Sequence, residues 1–165
     1  MKTITFVRHA QSFWSNNLSK DHDRVLSNKG EEDAYNAAYR FSLNEIEIDL
    51  IITSSAIRAK KTAEIFSSTI KYPIDEIIIN KSLYLADKYM IIKELTAQDK
   101  IKNNIMIFGH NPGFTNIVNY FLDSKNIIDL TTSAIITFEL YLDSWEEIDI
   151  CKKNIIFTTE ESYLL

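Results

Sequence analysis

Ile4-Thr5-Phe6-Val7-Arg8-His9-Ala10 is an apolar run that stops on an arginine and a histidine. A β-rich segment of this kind reads as a buried strand, and its last side chains are presented at its carboxyl end. In open α/β sheets that is the ligand-binding edge. Arg-His after a strand is a weak signal alone, so its meaning rests on what other strands bring to the same edge.

Working outward, Gln11 to Ser27 is polar, contains Asn16-Asn17 and Asp21-His22-Asp23, and has no sustained period. It reads as a long loop, and loops of that length in a compact domain are usually functional. Within it His22 reads as a surface residue that could touch substrate, and Phe13 and Trp14 either pack the loop down or line a pocket mouth. Ala34, Ala37, Ala38 and Phe41 fall on one helical face, which predicts a helix over about 28–43 capped by Ser27 or Asn28. Asp49 to Thr53 reads as a second buried strand. The spacing of Ala59, Ala63, Phe66 and Ile70 then predicts a helix with Ser54 as its cap. Arg58 falls in the first turn of that helix, where a cation opposes the helix dipole and calls for a compensating group such as a bound anion.

Pro73 separates this helix from a third strand, Glu76 to Ile79, and Leu83 to Asp87 forms a connector. Ile91, Ile92 and Leu95 predict a helix over about 88–100. Ile105 to Phe108 is a fourth strand, ending at Gly109-His110-Asn111-Pro112-Gly113. Phe114, Ile117, Val118, Phe121 and Leu122 then mark a helix with Pro112 suited to its first turn. Ala134 to Tyr141 and Asn154 to Phe157 read as two strands joined in a hairpin by a short turn around Ser144-Trp145-Glu146. Strand and helix alternate before this point, which indicates a three-layer α/β/α sandwich, its sheet mostly parallel with an antiparallel hairpin at the C-terminal end.

Composition bounds the chemistry. A chain of 165 residues fits one domain, 1–165, and buries about 70% of its unfolded surface without staples. The single cysteine, Cys151, allows neither an internal disulfide nor a cysteine zinc site, and points to a reducing compartment. Met1-Lys2 leads straight into a strand bearing Arg8, unlike a secretory leader, and no apolar run approaches the ~18 residues of a membrane span. A cytoplasmic protein without membrane contact is expected. The net charge of -5 argues against nucleic-acid binding, which needs a basic face. Three glycines, Gly30, Gly109 and Gly113, exclude a Walker loop and a dinucleotide fingerprint.

Three strand ends thus deliver Arg8-His9, Ser54 with Arg58, and His110. Guanidinium forks match phosphate oxygens, and helix N-termini add to the field, so the edge is an anion trap suited to a phosphoryl group. A neutral histidine can attack phosphorus to give a phosphohistidine that water cleaves, and nearby arginines favour the neutral form. Arg8, Arg58 and His110 would stabilise the transferring group with no metal and no cofactor. The histidines lack a His-x-x-x-His spacing for zinc, and no Gly-x-Ser-x-Gly elbow occurs.

Arg8-His9-Ala10 with Ser12 nearby, Ser54-Ser55-Ala56-Ile57-Arg58-Ala59-Lys60-Lys61-Thr62-Ala63, Gly109 to Gly113, and Thr132-Ser133-Ala134 together resemble the histidine phosphatase (phosphoglycerate mutase-like) superfamily, in particular its short SixA-type phosphohistidine phosphatase branch. The resemblance covers nearly the whole chain and implies a phosphoglycerate mutase-like fold. It also implies that His9 is phosphorylated, that Arg8, Arg58 and His110 bind the phosphoryl group, and that Ser12 adds to that site. Ala10 stands where much of the superfamily has glycine, and Ser55 replaces the usual proline, so neither departure removes a catalytic group. The larger relatives place a glutamate as general acid; here Asp87 is the candidate by position. The expected substrate is protein phosphohistidine, for example on a histidine phosphotransfer domain, with a small phosphomonoester as the alternative. A non-catalytic module that only binds phosphoproteins is a third reading, which the intact His9 disfavours.

Overall fold

β1 (Lys2–Arg8) lies inside a six-stranded sheet, and its alternating side chains serve two cores. In the computed structural model, which describes residues 1–13, 20–122 and 129–160, Ile4 and Phe6 face one layer and Val7 the other. Thr5, also on a buried face, satisfies its hydroxyl against Thr137 at 3.0 Å, as a buried polar group must. The further elements are α1 (Asn28–Ser42), β2 (Leu50–Ser54), α2 (Ile57–Ile70), β3 (Ile78–Asn80), α3 (Lys88–Thr96), β4 (Asn104–Gly109), α4 (Gly113–Leu122), β5 (Ile135–Tyr141) and β6 (Lys152–Thr158).

The strand order is β3-β2-β4-β1-β5-β6. β3, β2, β4 and β1 run parallel, while β5 runs antiparallel to both β1 and β6. On one face α1 and α2 contribute Ala34, Ala38, Phe41, Ala63 and Phe66 to a core with Ile51, Met106 and Phe108. On the other, α3 and α4 contribute Ile91, Leu95, Phe114, Ile117 and Val118 over Ile52, Ile105 and Ile107. Phe6 sits edge-on to Phe114, Phe121 and Phe138 at centroid separations of 5.6, 5.8 and 6.3 Å, each such pair contributing about 0.5–1.5 kcal/mol beyond burial. The architecture is the expected three-layer sandwich.

Several local expectations are corrected. Ser27 does cap α1, its Oγ accepting from Gly30 N at 3.0 Å, but Ser54 caps no helix. It is the last residue of β2, and α2 begins after Ala56, which offers no side-chain cap. α3 ends at Thr96, short of the predicted limit. Pro112 precedes α4 instead of opening it, and the Asn111–Pro112 bond is cis. The β5–β6 connection is longer than a tight turn because Leu142, Trp145 and Ile148 return to the core. The Trp145 indole N–H donates to Lys102 O at 2.8 Å.

The stretch after β1 is fastened to the start of α1. Ser27 N donates to Gln11 O, and Ser12 pairs with Leu26 in an isolated antiparallel bridge. At Gly30 a Cβ would lie 2.0 Å from Gln11 O, so only glycine lets the first turn of α1 pass this backbone. Trp14 lies outside the described residues. No helix among the described residues is long and apolar enough to cross a membrane.

Candidate active site

Because β1, β4 and β2 are sheet neighbours in parallel register, with Arg8 opposite Gly109 and Thr53 opposite Phe108, their carboxyl ends share one edge. There a cavity of about 450 Å³ is lined by Arg8, His9, Gln11, Ser12, Asp21, Arg24, Arg58, Leu85, His110, Asn111 and Thr132. The four residues expected to carry the chemistry converge here. A larger groove, about 720 Å³, lies at the opposite edge, where Glu45, Glu47, Asp49 and Glu76 line it and no histidine does.

His9 follows β1 directly and is 9% exposed. Its Nδ1 lies 2.8 Å from Ala10 O. A carbonyl only accepts, so Nδ1 carries the proton and Nε2 keeps its lone pair. That Nε2 accepts from Arg58 Nε at 3.1 Å. Burial, reinforced by the charges of Arg58, Arg8 and Arg24 and opposed by the Ala10 hydrogen bond, lowers the His9 pKa to about 4. The ring is therefore neutral at ordinary pH, with Nε2 unprotonated.

His110 follows β4, with its ring centroid 5.0 Å from that of His9. Its Nδ1 lies 3.4 Å from Arg58 Nη2, which can only donate, so Nε2 carries the proton and donates to Ser54 Oγ at 2.7 Å. Ser54 thus orients the His110 imidazole from the end of the neighbouring strand. Burial first, then the neighbouring His9 and Arg58, lowers the His110 pKa to about 3.

Arg58 stands at the second position of α2 and is 3% exposed. The compensating group expected for it is present in the chain: Asp21 Oδ2 accepts from its Nη2 at 2.9 Å, and Asp21 O accepts from Nη1. One turn later Thr62 Oγ1 donates to Arg58 O at 2.7 Å and accepts from Ala10 N at 3.1 Å, tying α2 to the backbone after the nucleophile. Arg8 is half-buried and donates through Nη1 to Leu130 O, and its buried Nε has no partner among the described residues. Burial lowers its pKa against the pull of Asp129 and Glu160, and a guanidinium stays charged regardless.

Ser12 lines the cavity, but its Oγ accepts from Arg24 Nη2 at 2.8 Å. Asp87 is not brought in. It caps α3, with Oδ1 accepting from Met90 N at 2.8 Å, and is absent from the cavity wall. The carboxylate that does line the cavity is Asp21, which sequence reasoning passed over along with Arg24 and Tyr84. Asp21 Oδ1 accepts from Arg24 Nη1 at 3.0 Å, and Oδ2 accepts from Tyr84 OH at 2.7 Å. Desolvation pushes this carboxyl up, but hydrogen bonds from Tyr84, Arg24 and Arg58 outweigh it and hold Asp21 well below the usual carboxylate range. The Asp-x-x-Arg spacing of Asp21 and Arg24 in a loop already read as functional was the one available signal. His22, read as a surface residue, is partly buried, with Nε2 2.9 Å from Ser55 Oγ and its ring edge-on to Tyr84. Among the described residues, no three histidine, cysteine, aspartate or glutamate side chains cluster to hold a metal ion.

A sequence model of the histidine phosphatase superfamily (branch 1) matches residues 4–81, which include Arg8, His9 and Arg58. An uncharacterised chloroplast protein of Arabidopsis thaliana is 24% identical over 159 residues, 88% of this chain and 70% of that one. Among solved structures, a SixA-type protein from Agrobacterium tumefaciens superposes with a TM-score of 0.83 at 19% identity, covering 96% of this chain and 97% of that one. The protein histidine phosphatase SixA in complex with tungstate gives 0.80 at 18% identity, covering 99% of each chain. A mycobacterial glucosyl-3-phosphoglycerate phosphatase in complex with VO3 gives 0.67 at 13% identity, covering 95% of this chain and 98% of that one. The fold is therefore that of SixA and of the phosphoglycerate mutase-like proteins.

Proposed function

We propose that this chain is a phosphatase of the histidine phosphatase superfamily and works through a covalent phosphohistidine on His9 without a metal. The observation that carries the reading is the tautomer of His9: Nδ1–H is spent on Ala10 O, so the lone pair of Nε2 points at Arg58 and toward His110. For attack, the Arg58 Nε–H turns from His9 Nε2 to a phosphoryl oxygen, and the freed lone pair of Nε2 attacks phosphorus, breaking the bond to the leaving group, which departs with the electron pair, and forming phosphohistidine. Water then attacks phosphorus, and His9 leaves as a neutral imidazole with its Nδ1–H still on Ala10 O. With both histidines neutral, the guanidinium groups of Arg8, Arg24 and Arg58 less the carboxylate of Asp21 leave two positive charges around the cavity. That balance matches a phosphoryl dianion, whose charge these groups stabilise in the transition state.

The leaving group supports a finer reading. Asp21 is the carboxylate on the cavity wall and stays ionised, while the His110 N–H is committed to Ser54. No proton donor among the described wall residues suits an alkoxide, so substrates whose leaving group needs none are favoured. A phosphohistidine is such a substrate, because its imidazole can be protonated at the nitrogen away from phosphorus and then leaves neutral. We therefore assign protein phosphohistidine as the substrate, with a histidine phosphotransfer domain as one carrier. A small phosphomonoester is the second reading, favoured by a cavity of about 450 Å³, within the range of small-molecule sites.

The test is to trap the phosphoenzyme. An acid-labile phosphoryl group is expected on His9, with full activity in excess chelator and loss of both label and turnover in His9→Ala. Normal turnover by His9→Ala would overturn the mechanism. Comparing kcat/KM for a phosphohistidine protein with sugar, nucleotide and aryl phosphates separates the two substrate classes.

A further inference from the structure

We infer that Asp21 is a positioning residue: its carboxylate and carbonyl grip one edge of the Arg58 guanidinium so that the other edge faces the two histidines. This inference rests on the phosphoryl-binding reading of the same site. A guanidinium has an end edge, formed by Nη1 and Nη2, and a side edge, formed by Nε and Nη2. Asp21 takes the end edge through O to Nη1 and Oδ2 to Nη2. The side edge donates to His9 Nε2 at 3.1 Å and His110 Nδ1 at 3.4 Å, and a phosphoryl group received beside the two histidines would take over these donors. The other carboxylate oxygen holds Arg24, and Tyr84 OH fixes the carboxylate itself. One anion thereby aims the Arg58 guanidinium at a site for another anion and holds Arg24 in the wall of the same cavity.

Two other roles for Asp21 fit less well. A general acid must hold a proton, whereas this carboxylate accepts from Arg24, Arg58 and Tyr84 at once. A built-in competitor of phosphate would occupy the side edge of Arg58, and Asp21 occupies the end edge.

The roles predict opposite signs. Removing a negative charge beside an anion site should tighten anion binding on Coulomb's law alone, but removing a positioning group should weaken it. Tungstate is the probe, with its dissociation constant measured calorimetrically on the full chain alongside kcat and KM. Asp21→Asn, which keeps the side-chain volume, is expected to weaken tungstate binding about tenfold, lower kcat and raise KM, because an amide oxygen holds a guanidinium less firmly than a carboxylate does. Tyr84→Phe should shift the same quantities in the same direction by less, which keeps the test usable if Asp21→Asn folds poorly. Unchanged or tighter tungstate binding in Asp21→Asn, or in Tyr84→Phe where only that variant folds, would overturn the inference while leaving the phosphatase reading intact. A parent protein that neither bound tungstate nor hydrolysed a phosphate would overturn that reading and the inference with it.

Discussion

At the scale of single residues, the two histidines matter through protons they do not carry. An unfolded chain takes a proton on each imidazole near pH 6.5, whereas burial holds the folded pKa of His9 to about 4 and of His110 to about 3. Between these limits the unfolded state binds more protons, so stability is full above about pH 6.5 and falls as pH drops toward 4. Two such groups together give a slope of up to about 2.7 kcal/mol per pH unit. Chemical denaturation at pH 7, 6 and 5 should show this loss, and His110→Gln should reduce the slope by about half. The acid limb of kcat/KM should lie near pH 4 and not in the ordinary histidine range. A flat stability profile from pH 7 to 5 would show that the imidazoles titrate normally. Arg8, His9, Arg58 and His110 were legible in the sequence because each sits in a local motif at a strand end or helix start. Asp21 and Tyr84 were not, because their bonds close across 37 and 63 positions, to Arg58 and Asp21 respectively, and the Asp-x-x-Arg spacing is the one local mark that Asp21 carries.

At the scale of elements, helix and strand periodicity placed the strands and the four α-helices of the described residues, and failed where a polar residue serves a distant partner. Ser54 has the composition of an N-cap and the position of one, yet its hydroxyl belongs to His110, and Ala56 starts α2 uncapped. Trp145 looked like part of a turn because its neighbours are polar, but it is buried in the core that α3 and α4 cover. The join between β1 and α2 depends on Thr62, which is fully buried and uses one oxygen both to donate to Arg58 O and to accept from Ala10 N. Thr62→Val keeps the shape and leaves the Ala10 N–H buried without a partner, so a loss of about 1–3 kcal/mol is expected by denaturant unfolding. Turnover should fall several-fold as well, because Ala10 O sets the His9 tautomer, and Thr62→Ser should recover most of both. Full stability in Thr62→Val would mean that this join is not made by the hydroxyl.

At the scale of the whole molecule, the site belongs to no single element. β1 supplies Arg8 and His9, β2 supplies Ser54, α2 supplies Arg58, β4 supplies His110 and the loop before α1 supplies Asp21 and Arg24, all drawn to one edge by the β2-β4-β1 order. The α/β pattern made a mostly parallel sheet legible, and with it the shared carboxyl edge where the strand ends meet, but strand order depends on crossovers that periodicity does not encode. An anion held by all these pieces binds only the assembled fold and should stabilise it as a unit. At a hundred times the dissociation constant, tungstate should add about 2.7 kcal/mol. For a chain of this size that raises the thermal midpoint by roughly 5–11 °C, at about 2–4 °C per kcal/mol. Arg58→Ala should lose most of the rise, since Arg58 touches both histidines. Lys71→Ala, which alters the acidic groove at the opposite edge, should keep it whole. An equal rise in the parent and in Arg58→Ala would place the anion elsewhere and detach phosphoryl binding from this sheet edge.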